Sequence, residues 1–156
     1  MFLDPLALFI GSVIIDIEGI ASIFLFRELN LPLHGPFHSF LGALVSGFFV
    51  GLCSWFCFRS VLPFIIEISG NELSFSLPTF SLKLSLISSY IGTFSHIFLD
   101  APLYNDMNPW YPITSIENPF LNIVDGSFIY FCCVICFFLG LSLLFVRYSL
   151  KSSEET

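Results

Sequence analysis

Four windows of this chain, about residues 5–26, 37–58, 84–103 and 127–146, are apolar over close to twenty residues each. That is the length at which a helix crosses a hydrocarbon core roughly 30 Å thick. The expected fold is therefore all-α: a polytopic membrane helical bundle with about four transmembrane helices, folded as a single domain over residues 1–156. Composition agrees, since 56% of residues are hydrophobic, 11% are charged and 21 are phenylalanine, too apolar for a soluble domain of this size. A net charge of −7 excludes a nucleic-acid partner, because no basic stripe is available to track phosphates. The lipid bilayer itself is the expected surrounding.

The first window is a poor signal peptide. It lacks a basic leader and carries Asp16 and Glu18 where such a segment is purely apolar. Arg27, Glu28 and Asn30 close it, and Leu31 to Pro36 forms a short connector. Pro36 suits the first turn of the second helix, where its missing N–H costs nothing. Gly42, Gly47 and Gly51, with Ala43 and Ser46, would let a neighbouring backbone come close. Residues 67–83 alternate apolar and hydroxyl side chains from Leu73 onward, which reads as a short hairpin or interfacial segment on the cytoplasmic side. Cysteines 53, 57, 132, 133 and 136 lie in apolar runs without zinc-ribbon spacing and read as small hydrophobes. Trp110 and Tyr111 belong to the aromatic belt, with a roof over a pocket as the alternative.

Basic residues set an orientation. Arg147 and Lys151 follow the fourth window, Arg59 and Lys83 flank the second connector, and Arg27 alone falls in the first. Cytoplasmic loops collect Lys and Arg, so both termini and the 67–83 segment are expected in the cytoplasm of a prokaryotic cell. Asp16 and Glu18, His34 and His38, and His96 and Asp100 then all fall towards the outer face.

Those six residues are the candidate metal ligands. Ionisable groups at membrane depth cost roughly 2.5–3.5 kcal/mol each and generally face a protein interior. His96 and Asp100 share one face of a helix at four-residue spacing, and His34 and His38 repeat that spacing. Imidazole with carboxylate suits zinc and its first-row neighbours, zinc being the expected ion and manganese the alternative. Six ligands exceed one tetrahedral site and match two ions, whose surplus positive charge would attract an anionic phosphoester. The free N–H groups of the helix beginning at Pro36 would add an anion site beside His38. Asp16 and Glu18 are two residues apart and diverge on an unbroken helix. Either one of them braces a histidine, or Gly19 marks a local break. Asp106 reads as a solvated turn residue. Ser39 and Ser95 sit beside histidines without the acid–histidine–serine order of a nucleophile.

Asp16-Ile-Glu18, His34-Gly-Pro-Phe-His-Ser39 and Ser95-His-Ile-Phe-Leu-Asp100, with Tyr111-Pro112 after them, resemble the motifs of the small membrane-bound metal-dependent hydrolases, some of them LexA-regulated. The resemblance covers roughly residues 10–115. That family is grouped distantly with zinc-dependent phospholipase C and fungal single-strand nucleases, which implies a helical, metal-bound hydrolase of phosphodiesters. Gly35 and Pro36 stand where the family often has a basic residue.

The expected function is thus hydrolysis of a phosphoester in a lipid or lipid-linked substrate at the extracytoplasmic face. Glu18 and His38 are the expected catalytic residues, with Glu18 orienting or deprotonating the attacking water. A small metal-binding transporter and a non-catalytic, metal-braced partner subunit are the alternatives, and a homo-oligomer is compatible with any of these.

Overall fold

The computed structural model describes residues 3–24, 33–68, 80–114 and 118–154, with side chains described as far as 142 and at 146. Six helices follow in order: α1 (Pro5–Val13), α2 (Ile17–Phe24), α3 (Phe40–Phe56), α4 (Leu62–Ile68), α5 (Leu82–Asp100) and α6 (Gly126–Glu154). A 3-10 turn, Ile14–Asp16, joins α1 to α2, and a second, Pro36–His38, precedes α3. Three stretches, Pro5–Phe24, Phe40–Ile68 and Leu82–Asp100, are long and apolar enough to cross a bilayer. The apolar part of α6, Gly126–Ser142, is shorter. The fold is a helical membrane bundle.

Each core helix begins at a side chain suited to the task. Asp4 caps α1 by accepting from the N–H groups of Leu6 and Ala7, and Pro5 follows in the first turn. Ser39 caps α3 through Gly42 N–H, and Ser81 caps α5 through Leu84 N–H. The third span ends at Asp100, short of the expected Leu103; Ala101 keeps helical dihedrals and bonds back to Ile97 C=O, and Pro102, which has no N–H to donate, stops the ladder. The second span runs past the expected Phe58 to Ile68. A π turn, Cys57–Val61, in which Leu62 N–H bonds to Cys57 C=O, widens the helix just ahead of Pro63 and absorbs its ring. Residues 25–32 and 69–79, with most of the connectors read from sequence, lie outside the described residues. The flanks of the expected hairpin, Glu67–Ile68 and Leu82–Lys83, are helical.

α5 is the centre of the bundle. It runs parallel to α1 and antiparallel to α3, and it meets both through small residues. A Cβ on Gly92 would lie 2.5 Å from Leu8 C=O and one on Gly11 would lie 2.6 Å from Ser89 C=O, so the α1–α5 crossing requires both glycines. Gly51 and Gly47 of α3 meet Ser89, Leu86 and Tyr90 of α5 at similarly short range. Ser85, Ser88, Ser89 and Thr93 are fully buried along this seam, and Ser89 Oγ–H donates to Gly47 C=O at 2.6 Å. Close backbone approach gives contact between membrane helices, which lack a hydrophobic driving force towards one another.

Asp4 closes one end of the seam. Its fully buried carboxylate accepts from Ser54 Oγ–H at 2.8 Å and Ser85 Oγ–H at 2.6 Å, while its own N–H donates to Ser88 Oγ at 2.8 Å. One side chain thus ties α1, α3 and α5 together, with every acceptor position used. At the other end Ile15, Ala43, Ile97, Ala101 and Met107 form a small apolar core. Above it Trp110 packs edge-on against Phe40 with ring centres 4.9 Å apart. Asn118 Nδ2–H donates to Ala101 C=O and Tyr104 C=O, tying the loop to the end of α5. The described side chains of α6 are largely exposed, Ile129 being the buried one.

Candidate metal centre

The site lies at the end of the seam opposite Asp4, and the turn Ile14–Asp16 creates it. Tightening the helix there changes the angle between successive side chains, so Asp16 and Glu18 approach one imidazole from its two edges. Glu18 Oε2 lies 3.0 Å from His38 Nδ1, and Asp16 Oδ1 lies 3.8 Å from His38 Nε2. Of the two alternatives, a carboxylate bracing a histidine or a break at Gly19, the geometry matches the first: Glu18 bonds to His38, Gly19 sits within α2, and the irregular turn lies earlier, at Ile14–Asp16.

Asp16, His38, His96 and Asp100 form a group whose ligand atoms all lie within 4.8 Å of one another, and it can hold a metal ion. His96 Nε2 is 3.4 Å from Asp16 Oδ1 and 3.0 Å from Asp100 Oδ2. Two ligands on one tetrahedral zinc, each at about 2.0–2.1 Å, lie about 3.3 Å apart. The spacings bracket that value.

The tautomers are fixed. His96 Nδ1–H donates to Ser12 C=O at 2.8 Å, and a carbonyl can only accept. His38 Nδ1–H donates to Glu18 Oε2, which also accepts from Phe37 N–H at 3.0 Å. In the neutral form with Nδ1 protonated, each imidazole turns an Nε2 lone pair inward, that of His96 lying 3.0 Å from Asp100 Oδ2. Both Nε2 atoms are buried, and neither has an aligned hydrogen-bond partner among the described residues. An orphaned acceptor of this kind costs about 1–3 kcal/mol, and two of them facing the same carboxylate fit a bound cation. Burial holds His38, at the rim of the membrane-spanning part, below the ordinary imidazole range against the opposing pull of Glu18, which keeps it neutral and able to ligate. Asp16 is 53% exposed while His38 is 1% exposed, so the group opens to solvent on the Asp16 side.

Glu18 and His34 fall outside the group. Glu18 occupies the far edge of the His38 ring and fixes its tautomer. A Cβ on Gly35 would lie 2.5 Å from Glu18 Oε1, which gives the glycine at that position a steric reason. His34 Nδ1 pairs with Asp106 Oδ1 at 2.9 Å, and its ring stacks on Tyr104 with centres 4.0 Å apart. Asp106, expected as a solvated turn residue, is therefore the partner of His34. His34 and His38 are not joined by a helical turn, because a non-helical Gly35 (φ −92°, ψ −147°) separates His34 from the 3-10 turn that ends at His38, yet their rings still meet edge to face with centres 4.7 Å apart. The expected anion site at the start of α3 is not formed. Phe40 N–H donates to Pro109 C=O, Gly42 N–H to Ser39 Oγ and Phe37 N–H to Glu18. Ser39 and Ser95 donate to the carbonyls of Pro36 and Gly92 and do not face a histidine as nucleophiles.

The fold and the group define a class: a helical membrane protein with a two-histidine, two-aspartate group able to hold a metal ion. No protein-family model, curated protein or solved structure matches the chain.

Proposed function

We propose that this chain is a membrane-embedded metal-dependent hydrolase that cleaves a phosphoester in a lipid or lipid-linked substrate. The observation that carries the reading is the convergence of two buried, unpartnered Nε2 atoms on Asp16 Oδ1, with Asp100 beside them. The motif resemblance of residues 16–18, 34–39 and 95–100 points the same way. Asp16, His38, His96 and Asp100 are the proposed ligands, zinc the expected ion and manganese the alternative. Two neutral imidazoles and two carboxylates balance one divalent charge, so a single ion fits better than two. When bound, such an ion supplies Lewis acidity and lowers the pKa of water.

The chain's own residues do the rest. Ser12 C=O and Glu18 hold the two imidazoles with their lone pairs facing inward, an orienting role that such partners commonly play at metal sites. Glu18 is thereby a positioning residue, since its Oε2 already accepts two hydrogen bonds on the ring edge away from Asp16. Asp16, at the open side, is the carboxylate placed to receive a proton from an entering water. The distribution of the five basic residues supports cytoplasmic termini and a site facing outward.

Metal content of detergent-purified protein, compared with His38→Ala and His96→Ala, is the test, followed by turnover of a phosphodiester. One zinc per chain, lost in both variants, is expected. Folded wild-type protein that stays metal-free after reconstitution with divalent ions would sink the proposal.

A further inference from the structure

We infer that the groove between α1 and α3 seats the hydrocarbon chain of the substrate, which makes that substrate a membrane amphiphile; this rests on the hydrolase reading above. α1 and α3 each pack on α5, and they leave between them a cavity of about 610 Å³. Two stripes at four-residue spacing line it, Leu6 and Ile10 of α1 with Ile14 of the turn after it, and Val45, Phe49 and Cys53 of α3 with Cys57 of the π turn. Two hydroxyls line it, and both are spent: Ser46 Oγ–H donates to Gly42 C=O and Ser54 Oγ–H to Asp4. Nothing polar is left to offer a headgroup.

Size and position select the occupant. From Val45 to Cys57 the groove extends about 18 Å along the helix, close to the roughly 15 Å depth of one leaflet. A single extended hydrocarbon chain of that length lies along the groove with its end at the metal side. The metal-side end is Phe37. Its N–H bonds to Glu18 and its neighbour is His38, so a chain lying in the groove brings its headgroup to the ligands of the proposed ion. Phe37 and Val45 also line a smaller cavity of about 170 Å³ with Tyr111, which continues the apolar track to the loop.

The test uses the full chain in phosphatidylcholine vesicles containing a phosphatidic acid with a diazirine at the end of one acyl chain. Photolabel should concentrate on Phe49, Cys53 and Cys57 rather than on the exposed Phe131 and Phe137 of α6, and excess unlabelled phosphatidic acid should compete it away. Cys53→Trp and, separately, Ile10→Trp should cut that label and long-chain turnover by about tenfold or more. Zinc content and turnover of a water-soluble nitrophenyl phosphate should stay at the wild-type level. Label spread evenly over α3 and α6, label indifferent to both tryptophans, or cross-links between two copies through the groove in place of lipid would each overturn the inference. Competable label without turnover of any phosphoester would leave the groove a lipid site and remove the hydrolase reading instead.

Discussion

Replacing Gly35 with alanine perturbs the metal group without touching a ligand. At Gly35 (φ −92°, ψ −147°) the cost that reaches the metal group is the steric one at Glu18. The new Cβ would lie 2.5 Å from Glu18 Oε1 and 3.0 Å from its Cδ, both closer than packed atoms tolerate. The carboxylate must swing away, breaking its 3.0 Å bonds to His38 Nδ1 and Phe37 N–H. A hydrogen bond to a charged group is worth about 1.5–3 kcal/mol, and loss of such a partner typically costs about 10–100-fold in metal affinity. Zinc affinity of Gly35→Ala, measured in detergent by competition with a chromophoric chelator, should fall within that range. The effect should vanish in a Glu18→Ala background, because the clash and the bond are then both absent. An affinity within about threefold of wild type, or an effect that simply adds to that of Glu18→Ala, would refute the steric coupling.

Other outcomes follow from the same geometry. His34→Ala should keep the ion that His38→Ala loses, since His34 pairs with Asp106 outside the four-residue group; metal analysis of both variants decides it. Asp4→Ala removes a helix cap and strands the hydroxyls of Ser54 and Ser85, and should cost on the order of 2–4 kcal/mol, read as thermal unfolding in detergent. Gly92→Leu drives a side chain into the α1 backbone at Leu8 and Ser12 and should abolish folded, monodisperse protein in size-exclusion chromatography. A single cysteine in the 105–125 loop of a cysteine-free chain should react with a membrane-impermeant maleimide on intact cells, and protection there would reverse the orientation.

Much of this was legible in the sequence for plain reasons. Apolar windows of bilayer length become helices whatever their neighbours, so the first and third expected spans stand within a few residues, the second runs on to Ile68 and the fourth falls in α6. His96 and Asp100 share a face because α5 is an unbroken helix there. What was missed depends on backbone pitch, which residue spacing does not reveal. A 3-10 turn places Asp16 and Glu18 on opposite edges of one ring, and another sets His34 and His38 edge to face through a loop rather than along a helix. Pro63, just beyond the expected end at Phe58, does not end the helix, because one π turn absorbs it. Asp4 escaped notice although Asp-Pro before an apolar run is a recognisable helix start. The importance of Gly35 had no sequence signal, because it depends on Glu18, seventeen positions away.

The seam of glycines and serines between α1 and α5 also orders events at synthesis. It locks together two spans that leave the ribosome about eighty residues apart, and between them they carry Asp16, His96 and Asp100. A nascent chain that stops before α5 holds one aspartate and one histidine of the four. Any loading of this group with metal would therefore wait until the third span has inserted and docked on the first. A bound ion would report completed topogenesis, and chains that stall earlier would emerge empty.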